Sequence, residues 1–160
     1  MMGAALFIGF LVVQRLAELA LARRNTARLM DRGAVEHGAA HYPLIVALHA
    51  GWLACIAVLG WGQPVHAGWL ALFVLLQGLR LWILATLGPR WTTRIIVTGE
   101  PLVRRGPFRW LRHPNYALVV AEIAVAPLVL GLVGVAAAFT VLNAVVLSIR
   151  LRAENRALYS

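Results

Sequence analysis

Two short stretches carry most of the residues able to do chemistry. The first is "RRGPFRWLRHPNY", residues 104–116, with four arginines, three aromatic rings, two prolines and a histidine. The second is the tail "RLRAENRALYS", which sets Arg150 and Glu154 one helical turn apart. A guanidinium can meet an anion, and a carboxylate can meet hydroxyl or amino groups. Phe108, Trp110 and Tyr116 offer faces on which a flat heterocycle can stack. Pro107 and Pro114 stiffen the first stretch, and Arg112 and His113 before Pro114 are biased to an extended form. Asn115 and Tyr116 then open a helix, whose free N–H groups can bind a carboxylate. Read without the tail, the same stretch is better taken as a basic anchor with interfacial aromatics. Arg150 and Glu154 are also spaced for a plain helix salt bridge, worth a few tenths of a kcal/mol.

Other chemistries find little support. His41 and His49 have no carboxylate or histidine at ligand spacing, so no metal site is expected. The single cysteine, Cys55, lies in an apolar run and reads as a small buried hydrophobe. The net charge of +9 comes from fifteen arginines and no lysine, placed between apolar spans. Membrane topology accounts for that pattern better than nucleic acid does.

The elements that must position these residues are membrane helices. Of the 160 residues, 61% are hydrophobic and 13% charged, against about 25% charged in a soluble domain. The fold class expected is an all-α integral membrane protein of about five transmembrane helices, the last two forming a short hairpin. Spans are expected at Ala4–Ala22, from Pro43 to near Gly60, and at Trp69–Leu87, where "GP" stops the helix. The stretch from Tyr116 to Ile149 is too short for two full spans of about 20 residues plus a turn. It reads as a hairpin turning near "LGLVG", with both arms short. The whole chain, 1–160, is taken as one membrane-embedded unit: 1–88 supply three spans, and 89–160 the loop, hairpin and tail. The first apolar stretch has no basic residues before it and no cleavage signature after it, so it is expected to be a retained span.

Thirteen arginines fall in 23–41, in 89–115 or after Ile149, and none in the intervening "WGQPVHAG" turn or the hairpin tip. This places the N-terminus outside and the C-terminus in the cytoplasm. Arg15 and Arg80 lie within spans, where they could snorkel to the same side. Arg15 and Glu18 share a helix face and could pair, and Arg80 could reach Glu122 across helices or either could line a cavity. The six tryptophans, near span ends, mostly suit interfacial anchoring.

"GPFRWLRHPNY", preceded by "PLV" and followed by an apolar hairpin ending in "RLRAEN", resembles the isoprenylcysteine carboxyl methyltransferase family. The resemblance runs from about Trp91 to Arg156, and its compactness is similar to a bacterial, inner-membrane branch that O-methylates long-chain alkylpyrones. It implies an S-adenosylmethionine-dependent O-methyltransferase acting on a lipophilic acceptor at the cytoplasmic membrane face. By the family's motifs, Glu100, Pro101, Leu102, Val103, Phe108, His113, Pro114, Asn115, Tyr116 and Glu154 would contact the cofactor. Arg150 would face the methyl acceptor. The chain departs from the family where a glycine gives way to Leu118 and a second tail glutamate to Asn155. The "RHPNY" core is also similar to that of NADPH-dependent sterol-type membrane reductases, so a reductase or a non-catalytic scaffold subunit stands as the alternative.

Overall fold

The computed structural model describes residues 1–159. Within them the order is α1 (Met2–Met30), β1 (Val35–His37), α2 (Tyr42–Leu59), α3 (Ala67–Leu87), β2 (Ile95–Val97), α4 (Pro114–Val129) and α5 (Val133–Tyr159). Helices α1, α2, α3 and α5 are long and apolar enough to cross a membrane. Helix α4, at 16 residues, spans about 24 Å and falls short of a hydrocarbon core of about 30 Å. The chain is an all-α integral membrane protein with a two-stranded antiparallel ribbon, β1 on β2, at one end.

Three boundaries differ from the sequence expectation. Helix α1 continues past Ala22 to Met30, because the three arginines, Ala27, Leu29 and Met30 there are good helix formers. Buried Asn25 ties this overhang down by donating to the carbonyls of Gly88 (3.3 Å) and Trp91 (2.8 Å). The C-terminal hairpin turns where expected, at Leu130–Leu132, with Gly131 at φ +69°. Its arms are unequal, however: α5 absorbs the "RLRAEN" tail into one helix of 27 residues, so only α4 is short.

The core lies between α1, α2, α3 and α4. Phe7 and Phe73 meet edge to face at 5.1 Å, and Leu11, Trp52, Ile56, Ile123 and Val129 fill the centre. Trp52 is fully buried and Trp91 nearly so, which corrects their assignment as interfacial anchors. The reason for Trp52 lies in the last turns of α4. Pro127 has no N–H, so it cannot bond the carbonyl four residues back, Ile123. The Trp52 indole N–H donates to that carbonyl at 3.1 Å.

This pairing is testable by a double-mutant cycle. Trp52→Phe should cost about 1–3 kcal/mol beyond its packing loss, since it orphans a buried acceptor. In a Pro127→Ala background, where the helix recovers its own N–H, that extra cost should disappear. SDS-denaturation midpoints of the four proteins give the coupling, and equal costs in both backgrounds would refute the capping role.

Inside the bundle, four charges balance. Glu122, fully buried on α4, accepts from Arg15 Nη2 (2.9 Å), Arg80 Nε (2.9 Å), Arg80 Nη2 and Gln77 Nε2 (3.0 Å). Glu18 pairs with Arg15 Nη1 (3.1 Å) and Arg80 Nη1 (2.9 Å). The expected local pair of Arg15 and Glu18 thus exists, but it is one side of a set linking α1, α3 and α4. Arg80 is only 4% exposed, so it does not snorkel. Two inward carboxylates hold it where they lie.

Candidate active site

Tyr116 is the meeting point of the two chemistry-bearing stretches. It sits in the first turn of α4, which Pro114 starts, where a missing N–H and a fixed φ suit the first helical position. Its hydroxyl donates to Glu154 and accepts from Arg150 Nε at 2.7 Å. The i,i+4 spacing of Arg150 and Glu154 on α5 therefore grips one phenol from two sides. The Arg150 guanidinium also lies 5.3 Å from the Tyr116 ring centre, and its Nη2 donates to the Thr93 carbonyl at 2.8 Å. His113 stacks on Tyr116, with ring centres 5.5 Å apart, and its Nε2 lies 3.1 Å from Asn155 Oδ1. Asn155, where a second tail glutamate is usual, thus joins the histidine as a neutral partner.

The 106–112 segment docks on the end of α3. Gly106 adopts φ +56° with Thr86 Oγ1 only 2.6 Å from where a Cβ would stand, so glycine is needed there for both backbone and space. Arg105 Nη2 reaches the Thr86 carbonyl at 3.3 Å, and Trp110 meets Trp82 edge to face. Beneath lies a second apolar cluster of Ala22, Ile83, Trp91 and Leu118, with Phe108 packed against it. Leu118, the departure from the family's glycine, is thereby accounted for as core.

Between loop, ribbon and tail is a cavity of about 1030 Å³. Of the residues singled out from the sequence, Glu100, Leu102, Val103, Phe108, His113, Asn115, Tyr116, Arg150 and Glu154 line it. Pro101 and Pro114 do not: Pro101 turns its carbonyl to Arg90 Nη1 (2.9 Å), and Pro114 is buried as the first residue of α4. Arg90, Arg94, Arg104, Arg109 and Arg112 add positive charge around the walls. Small-molecule pockets usually measure about 300–1,000 Å³, so this one has room for a nucleoside cofactor and the head of a second molecule.

The model of the isoprenylcysteine carboxyl methyltransferase (ICMT) family matches residues 69–160, from α3 to the end of the chain. The chain belongs to this family. Membership makes it a membrane methyltransferase in the broad sense. It is also 42% identical to an uncharacterized protein of Bacillus subtilis (strain 168), YpbQ, over 96% of this chain and 95% of that protein. No solved structure matches it.

The family match begins after α2, yet residues before it reach the cavity or brace the loop beside it. Leu29, at the end of α1, lines the wall. Glu36 on β1 accepts from Arg94 Nη1 at 2.8 and 2.9 Å. Tyr42 bonds the Thr93 hydroxyl at 3.0 Å, with the Arg94 guanidinium 4.4 Å from its ring centre. Sequence reasoning passed over all of these. The "IIV" run at 95–97 was the available signal, since three β-branched residues in a loop favour a strand.

Proposed function

We infer that the protein is an S-adenosylmethionine-dependent O-methyltransferase whose acceptor is a lipophilic carboxylate or acidic enol. The observation that carries this reading is the Tyr116 hydroxyl, bracketed by Glu154 on one side and Arg150 on the other. Glu154 suits the hydroxyl or ammonium groups of the cofactor, while the start of α4 at Asn115 suits its carboxylate. Phe108, packed against the apolar cluster beneath the loop, gives the heterocycle a firm face. When bound, S-adenosylmethionine supplies an activated methyl group and a neutral sulfide leaving group.

The chain's own residues must then align and desolvate an acceptor oxygen. An acceptor already ionised needs no general base, which fits a site whose polar residues are chiefly arginines. Arg150 holds the oxyanion, and the acceptor's chain lies among apolar side chains such as Leu29, Leu87 and Ile95. Residues 89–160 act as the reactive half and 1–88 as the lipid-facing scaffold, within one unit. The basic end that carries the site faces the cytoplasm, by the arginine asymmetry, which puts the N-terminus outside. Calorimetry of purified protein in nanodiscs tests the reading. S-adenosylmethionine should bind with micromolar affinity, and label from its methyl group should appear in the lipid extract. A folded protein that binds none would end it.

A further inference from the structure

We propose that Glu36, Arg94 and Tyr42 form a strap that positions Arg150, so that the segment before the family's conserved region sets the acceptor side of the site. The inference deepens the methyltransferase reading and rests on it for what Arg150 meets.

Arg150 is only 8% exposed, yet it lines the cavity. A guanidinium carries five N–H bonds. One, on Nε, goes to the Tyr116 hydroxyl, and one, on Nη2, to the Thr93 carbonyl. Nη1 makes no hydrogen bond among the described residues, so it is the nitrogen left for a ligand oxygen. Two anchors on different nitrogens fix the plane of the group and therefore the direction of Nη1.

The two anchors are not equally secure. Tyr116 is held by α4. Thr93 lies in a connection between α3 and β2, with no helix to fix its carbonyl. What holds it comes from the N-terminal half. Tyr42, at the start of α2, bonds the Thr93 hydroxyl, and its ring carries the next residue's guanidinium, Arg94. Glu36 binds that guanidinium in turn, and β1 pairs Glu36 with Ile96 and His37 with Ile95, just beyond. Three interactions of different kinds thus converge on two consecutive residues, and the first of these presents its carbonyl to Arg150. None of the three touches Glu154, His113 or Asn115, so the strap should influence the acceptor side and leave the cofactor side alone.

The test uses full-length protein with arginine labelled by ¹⁵N, in nanodiscs, with the Arg150 signals assigned by their loss in Arg150→Lys. In the parent protein the Arg150 Nη signals should be separate, as expected for a group that cannot rotate. In the double variant Glu36→Gln/Tyr42→Phe they should merge through rotation about Nε–Cζ. Dodecanoate, a lipophilic carboxylate probe, should bind about tenfold more weakly to that variant, the loss of about one hydrogen bond. Arg150→Ala serves as the blank for partition into lipid. S-adenosylmethionine affinity should stay within about twofold, whereas a general loosening of the cavity would weaken both ligands. Unchanged Arg150 signals would overturn the proposal. So would a freed Arg150 with unchanged dodecanoate affinity. If the double variant does not insert, Tyr42→Phe alone carries the same comparisons. Failure of the parent to bind S-adenosylmethionine would instead strike the methyltransferase reading, and the Arg150 signals would still report on the strap.

Discussion

Glu154→Ala should weaken S-adenosylmethionine binding about 10- to 150-fold while leaving the protein inserted and helical. The carboxylate is half-buried beside the cavity and already organised by the Tyr116 hydroxyl. Hydrogen bonds to charged groups are worth about 1.5–3 kcal/mol, which corresponds to a loss of about 10- to 150-fold in affinity. Removing it also leaves the Tyr116 hydroxyl without its acceptor and takes away the negative charge one turn from Arg150. Glu154→Gln, which keeps an acceptor and loses the charge, should fall between the two. Calorimetry gives the affinities, and circular dichroism confirms that the helices persist. An Ala variant binding as tightly as the parent would remove Glu154 from the cofactor's partners.

The other large effect is expected from Glu122→Leu. This carboxylate is the shared acceptor for Arg15, Arg80 and Gln77, and its loss leaves two guanidinium groups to one glutamate, Glu18. Breaking one member of a buried ion set costs about 3–5 kcal/mol, because the remaining charge cannot rehydrate. The replacement of both partners, Arg80→Met with Glu122→Leu, should recover much of that loss, since a well-packed apolar pair avoids the desolvation cost. Resistance to SDS or to heating in detergent will rank the three proteins. A single variant as stable as the parent would mean that water reaches the network and screens it.

How much of this was visible in the sequence depended on the range of the interaction. Local rules were enough for the helices: Pro43, the Gly88–Pro89 pair, Pro114 and the Gly131 turn all mark ends that the structure keeps. The i,i+4 spacing was also enough to bring Arg150 and Glu154 to one side of α5, whereas the meeting of Tyr116 with Glu154 followed only from the family resemblance, since no local rule relates residues 38 positions apart. The extension of α1 was missed because arginine was weighed as a topology marker, although it also favours helix. The ribbon was missed because three-residue strands as far apart in the chain as Val35–His37 and Ile95–Val97 carry no periodicity. The four-charge set needed the rotation of three helices about their axes, which no single helix encodes. Trp52 is a similar case: its burial follows from a proline on another helix.

The same charged set imposes an order on synthesis. Helix α1 emerges with Arg15 and Glu18 already able to neutralise each other. Helix α3 emerges with Arg80 and no acidic residue of its own; Glu18 on α1 can take one of its nitrogens, but Glu122, which takes the other two, lies 42 residues later. An unpaired arginine near the middle of a lipid-exposed helix costs at least about 2.5 kcal/mol to insert. Helix α3 therefore gains from waiting at the translocon, or against α1, until α4 arrives. The polar connection between them, docked on α3 through Gly106 and paired with β1 through β2, can fold during that pause. The loop and the start of α4 can thus take their places when Glu122 reaches Arg80, and α5, which brings Arg150 and Glu154, completes the cavity afterwards.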